Sequence, residues 1–118
     1  MSKNLLTKLS ALAGLTLLAV SASALAAETA PVLDSKSCDP PKYPKAALIN
    51  EETGTVVMGF LVGPDGKVTE SKVEKSSGSK SLDKAALTAL ALCKFKPGTK
   101  DGKPDAVWAK VDFVWKLE

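Results

Sequence analysis

Two cysteines, Cys38 and Cys93, are the residues best suited to covalent chemistry in this chain of 118 residues. In an oxidising compartment an even pair reads first as a disulfide. The alternative is two free thiols or a redox couple. The spacing is not that of a C-x-x-C motif, and the sequence holds no histidine as a partner. That same absence removes the commonest general base and metal ligand. Ser76 and Ser77 lie in a turn with no evident activating base, which argues against a nucleophile. Glu51 and Glu52 read as a solvated helix end rather than a catalytic dyad. No glycine-rich phosphate loop appears. The reading is a protein with no catalytic residue, no metal site, no cofactor and no small-molecule substrate.

Charge narrows the partners further. The net charge of +3 comes from 16 basic residues against 13 acidic ones, and every basic residue is lysine. Arginine is the usual bidentate ligand for phosphate and guanine, so nucleic-acid binding is not expected. Lys3 and Lys8 begin a segment that continues apolar from Leu9 to Val20 and ends in Ala24-Leu25-Ala26. That pattern predicts a signal peptide over residues 1–26, cleaved before Ala27 and directing the protein to export. An uncleaved inner-membrane anchor is the other reading, since 9–27 is just long enough to span a bilayer. Cleavage would remove two of the 16 lysines and leave 14 against 13 acids, a net of +1.

The elements that position these residues are legible from period and turn chemistry. Ala27–Ser37 is polar and aperiodic and is expected to be a disordered leader, with a domain following over 38–118. Pro44 suits a helix start, continued for a turn or two by Lys45 to Ile49. Val56, Met58, Phe60 and Val62 alternate along a strand from about Thr55 to Val62. Val57 and Leu61 make its other face apolar as well, which predicts a central position in a sheet. Pro64-Asp65-Gly66 turns the chain into a second strand, with Gly66 left-handed. Val68 and Val73 fall on opposite parities, so a bulge is expected. Ser81 is the predicted N-cap of a helix whose apolar face is Leu82, Ala85, Ala86, Ala89, Leu90 and Cys93, with Asp83 complementing the dipole. Lys94 and Lys96 suit its C-terminus, and Pro97-Gly98 stops it. A last strand, about Val107 to Leu117, alternates plainly. Trp108 and Trp115 differ in parity, so at most one belongs in the core.

A mature chain of this size buries only about 60–65% of its unfolded surface. A disulfide closing so long a loop would add about 4 kcal/mol, a large share of a typical total of about 5–15 kcal/mol.

In order and spacing these pieces resemble the C-terminal domain family of TonB, the energy transducer of Gram-negative bacteria. The matching residues are Pro41-Lys42-Tyr43-Pro44, Gly54-Thr55-Val56 running into Phe60 and Val62, Asp65-Gly66-Lys67-Val68, Ser76-Ser77-Gly78, Leu82-Asp83 with Ala85-Ala86, Phe95-Lys96-Pro97 and Asp101-Gly102. The resemblance covers about Cys38 to Glu118. It implies an α+β fold: a three-stranded antiparallel sheet, order 2-1-3, with two helices on one face. The cysteine pair is similar to that of a subset of small exported relatives, which supports a Cys38–Cys93 bridge. The resemblance also implies a binding mode, in which the last strand takes an extended segment, the TonB box of an outer-membrane receptor, as an added strand. Carried onto this sequence, the partner-binding edge is Val107, Trp108, Ala109, Lys110, Val111, Asp112, Phe113 and Val114. Lys110 and Asp112 would lie beside the incoming strand and Trp108 would offer apolar cover. Another periplasmic protein, or a second copy pairing edge to edge as a homodimer, is the alternative partner. Residues 27–39, fully extended, would reach roughly 45 Å.

Overall fold

The computed structural model describes residues 27–118, and the expected signal peptide at 1–26 lies outside the described residues. In chain order the elements are β1 (Glu28–Thr29), β2 (Val32–Asp34), α1 (Lys45–Ile49), β3 (Gly54–Val62), β4 (Val68–Lys75), α2 (Lys80–Ala91), β5 (Lys94–Lys96), β6 (Thr99–Lys100), β7 (Lys103–Pro104) and β8 (Val107–Trp115).

The alternation of β3 decides where the core lies. Val56, Met58, Phe60 and Val62 have no exposed surface, while Val57 and Leu61 on the opposite face are half-buried. Strand order β4-β3-β8, antiparallel throughout, puts β3 in the centre as its two apolar faces require. The inner face packs against Ala47 of α1 and against Leu82, Ala86 and Leu90 of α2, so both helices cover one side of the sheet. Burying each large side chain of this cluster stabilises by about 1.5–3 kcal/mol.

The β3–β4 hairpin forms for the reasons its sequence supplies. Gly66 N–H donates to the Gly63 carbonyl at 2.9 Å, and Asp65 accepts from the Lys67 N–H at 3.1 Å. Gly66 has φ +85°, and a Cβ there would meet the Phe95 carbonyl oxygen at 2.4 Å. The turn therefore needs glycine twice over, for its backbone angle and for its close approach to β5. The expected bulge is present in two places, where the register shifts between Val57 and Met58 and between Leu61 and Val62.

Three expectations are corrected. The leader is not disordered: β1 pairs with β6, and β2 pairs with β5 in the register Val32–Lys96, Leu33–Phe95, Asp34–Lys94. A turn of 3-10 helix at Ser35–Ser37 follows, capped by Asp34. Second, α2 is capped by Ser79 rather than Ser81; the Ser79 hydroxyl accepts from the Leu82 N–H at 3.3 Å. Third, Lys94 and Lys96 do not end the helix. They flank buried Phe95 in a strand, because β2 supplies hydrogen-bonding partners that a local reading cannot see. The polar stretch around Asp101-Gly102 is itself a hairpin, β6–β7, with φ +53° and +79° at those two residues, the two left-handed positions of a type I′ turn.

Candidate peptide-binding edge

Along its full length β8 is in unbroken register with β3, from Gly54 opposite Trp115 to Val62 opposite Val107. Among the described residues, no other strand pairs with it. One flank of a nine-residue strand thus keeps its N–H and C=O groups free for another backbone. The opposite edge, β4, is less receptive. It carries both bulges and exposes Glu70, Lys72, Glu74 and Lys75, which are devices that discourage pairing.

Side chains of β8 sort by parity. Val107, Ala109 and Trp115 are buried, and Val111 and Phe113 on the same face are half-exposed. Trp115 packs edge-on against both Tyr43 and Phe113, with ring centroids 4.9 Å apart in each case. Tyr43 is an anchor, as its place beside Pro44 suggests, and its hydroxyl donates to the Glu52 carbonyl. On the outer face Trp108 is 41% exposed, Val114 is 57% exposed, and Lys110 and Asp112 are exposed.

These outer residues are partly committed elsewhere. Lys72 crosses over Gly59 and places its Nζ 4.5 Å from the Trp108 ring centre, a cation–π contact. Lys110 lies 3.9 Å from Glu74, again over the side-chain-free Gly59. Trp108 and Lys110 therefore engage their own sheet, whereas Asp112 makes no ion pair among the described residues.

Beside the free flank lies an apolar cleft of about 240 Å³. Val111, Asp112 and Phe113 all border it, and no residue of β3 does. Three consecutive strand residues point to opposite faces, so a cavity that touches all three runs along the strand's edge. Leu33, Ser35, Pro40 and Pro41 stand across it, and the Cys38–Cys93 disulfide and Leu90 complete the lining. The bridge joins residues 55 apart in sequence with Cα atoms 4.9 Å apart. Cys93, just past α2, is buried at 2% exposure. Sequence reasoning found the edge and the cysteines but not Leu33, Pro40 or Pro41. The available signal was the apolar pair Val32-Leu33 between Pro31 and Asp34, too short to read as a strand alone.

The serines that could have suggested nucleophilic chemistry have a structural role. Asp83 is 8% exposed and accepts from the Ser77 N–H at 2.9 Å, the Ser77 hydroxyl at 2.6 Å and the Ser76 hydroxyl. Burial pushes its carboxyl pKa up, but the hydrogen bonds from Ser76 and Ser77 outweigh it and hold the group below the usual range. This clasp fixes the turn between β4 and α2.

The fold is thus a small cross-linked α+β unit with one long sheet edge that is open among the described residues. The family described as Gram-negative bacterial TonB protein C-terminal matches residues 39–117, and the chain belongs to that family. It is 40% identical over 85 residues to the Protein TonB of Xanthomonas campestris pv. campestris, a match covering 72% of this chain and 38% of that protein. With the Protein TonB of Haemophilus influenzae it shares 39% identity over 73 residues, covering 62% and 27% of the two chains. The chain thus spans well under half the length of these relatives. The solution structure of the Pseudomonas aeruginosa TonB C-terminal domain superposes with a TM-score of 0.58 at 29% identity, covering 77% of this chain and 87% of that one. The Helicobacter pylori TonB C-terminal domain gives 0.51 at 30% identity, covering 66% and 70%. No helix among the described residues is long and apolar enough to cross a membrane.

Proposed function

We propose that this protein is a periplasmic TonB-like binding module that accepts an extended peptide as an added strand on β8. The partner is the TonB box of an outer-membrane receptor, and the role is in energy-dependent outer-membrane transport rather than in catalysis. The observation that supports this reading is the nine-residue β8, in continuous register on one flank and, among the described residues, unpaired on the other. Main-chain bonds along such a flank supply affinity, and alternating side chains supply selectivity.

The edge residues take distinct parts in this reading. Val107 and Ala109 are buried and hold β8 against the core, while Val111 and Phe113 remain accessible on the helix side. Lys110, Asp112 and Val114 present the outer face to the partner. Trp108, 41% exposed and contacted by Lys72, offers apolar cover beside the incoming strand. The test is a titration of isotopically labelled protein with TonB-box peptides, followed by amide shifts. Shifts concentrated in Val107–Val114 are expected; shifts confined to β4, or none at millimolar peptide, would end the proposal. Mass spectrometry of the exported protein tests the location: an N-terminus at Ala27 is expected, and an intact Met1 or Ser2 start would favour an anchored form.

A further inference from the structure

We infer that the cleft beside β8 is a selectivity pocket for one large apolar side chain of the incoming strand, with the disulfide-fastened segment Leu33–Pro41 as its outer wall. The inference rests on the strand-addition reading and names what that added strand must carry. A strand laid along β8 sends alternate side chains to opposite faces of the sheet. Those on the helix side fall beside Val111 and Phe113, the two inner-face residues of β8 that its own core leaves half-exposed. Both border the cleft.

The lining selects by chemistry. Leu33, Pro41, Leu90 and the disulfide make most of the lining apolar, and Ser35 and Asp112 are its polar members. A polar side chain placed against the apolar part of that surface would lose its water, with only Ser35 and Asp112 at the margin to bond in return. At about 240 Å³ the cleft is smaller than the pockets of about 300–1,000 Å³ that hold drug-sized ligands, and its size suits a single side chain. On the outer face the neighbouring position lies near Asp112, which has no ion pair among the described residues and so tolerates a polar or cationic residue. The predicted occupant is therefore an extended segment of another protein with an aliphatic or aromatic residue flanked by polar ones.

The wall depends on the bridge. β2 is held by only three paired residues, and Pro40 and Pro41 belong to no strand. Cys38 lies between them and ties this segment to Cys93 at the end of α2.

Short blocked peptides of alternating Thr and Ser, with Leu, Phe, Ala or Asp at one central position, test the pocket on the oxidised wild-type protein. Leu or Phe should bind at least about tenfold more tightly than Ala or Asp, and the amide shifts should include Leu33 and Cys93 as well as Val107–Val114. Leu33→Trp, which fills the cleft, should reduce that preference to less than about threefold while leaving the Ala peptide's Kd unchanged. Shifts along β8 with equal affinity for every peptide would overturn the pocket and leave strand addition standing. Absence of shifts in β8 with any peptide would remove both. A wild-type dimer in sedimentation that Leu33→Trp abolishes would also overturn the inference, by placing a second copy in the cleft.

Discussion

Gly66→Ala is a sharp probe of how the hairpin docks on the rest of the molecule, because Gly102→Ala serves as its internal control. The two glycines have nearly the same backbone angle, φ +85° and +79°. A residue with a Cβ pays about 1–2 kcal/mol in that region, and the gain from a stiffer unfolded chain, about 0.4–1 kcal/mol, applies to both. Their surroundings differ. Nothing lies within 4 Å of a Cβ at Gly102, whereas one at Gly66 meets the Phe95 carbonyl oxygen at 2.4 Å. That oxygen is backbone and cannot swing aside. Ordinary contact begins near 3.4 Å, so the hairpin must withdraw from β5 by about 1 Å. Withdrawal strains the 2.9 Å bond from the Phe95 N–H to the Gly66 carbonyl, and a buried donor left unsatisfied costs about 1–3 kcal/mol. It also loosens the Phe60–Phe95 ring contact, whose centroids are 5.9 Å apart. Gly66→Ala should therefore destabilise by at least about 2 kcal/mol more than Gly102→Ala, read as the difference in free energy from urea unfolding of the oxidised proteins. Equal losses would show that the hairpin does not dock on β5 as described.

Other expectations concern the bridge, the buried carboxylate and a helix end. Cys38→Ser should lose about 4 kcal/mol relative to oxidised wild type and nothing relative to reduced wild type, by urea unfolding with and without reductant. Asp83 has a lowered folded pKa, so its contribution is present above the unfolded value near 3.9 and disappears as pH falls through the lower folded value. Asp83→Asn should cost about 1–3 kcal/mol at neutral pH and flatten the loss of stability on acidification, measured as thermal midpoints from pH 7 downward. Glu51 sits at φ +53° just past α1, where Glu51 and Glu52 N–H groups return to the Leu48 and Ala47 carbonyls. Glycine suits that position, so Glu51→Gly should raise stability by roughly 1 kcal/mol; an unchanged or lower thermal midpoint would refute the account of that helix end.

What could be read without coordinates had a local cause. The alternation Val56-Met58-Phe60-Val62 names the buried face of β3 because strand side chains must point to opposite sides, and all four are fully buried. The same parity argument allowed at most one tryptophan in the core, and Trp115 is buried while Trp108 is exposed. Pro64-Asp65-Gly66 carries its turn in its own backbone preferences. The 3.6-residue spacing of Leu82, Ala86 and Leu90 marked the face α2 turns to the core. Apart from the N-cap of α2, which lies two residues earlier at Ser79, the errors fell where a segment's structure depends on a distant partner. Lys94–Lys96 alternates lysines about Phe95 and reads equally as a helix end or a strand, and β2 decides between them. Residues 27–37 have too little local preference to order themselves, yet β5 and β6 give them partners.

By itself, then, the sequence determined the central strand, the hairpin turn, the amphipathic helix and the alternation of the final strand, since each follows from period or from the conformations particular residues allow. Only the tertiary structure decided that the N-terminal segment stands across a cleft from that final strand. The contacts that place it join residues more than fifty apart, where no periodicity reaches: a disulfide between Cys38 and Cys93 and a short ladder from β2 to β5.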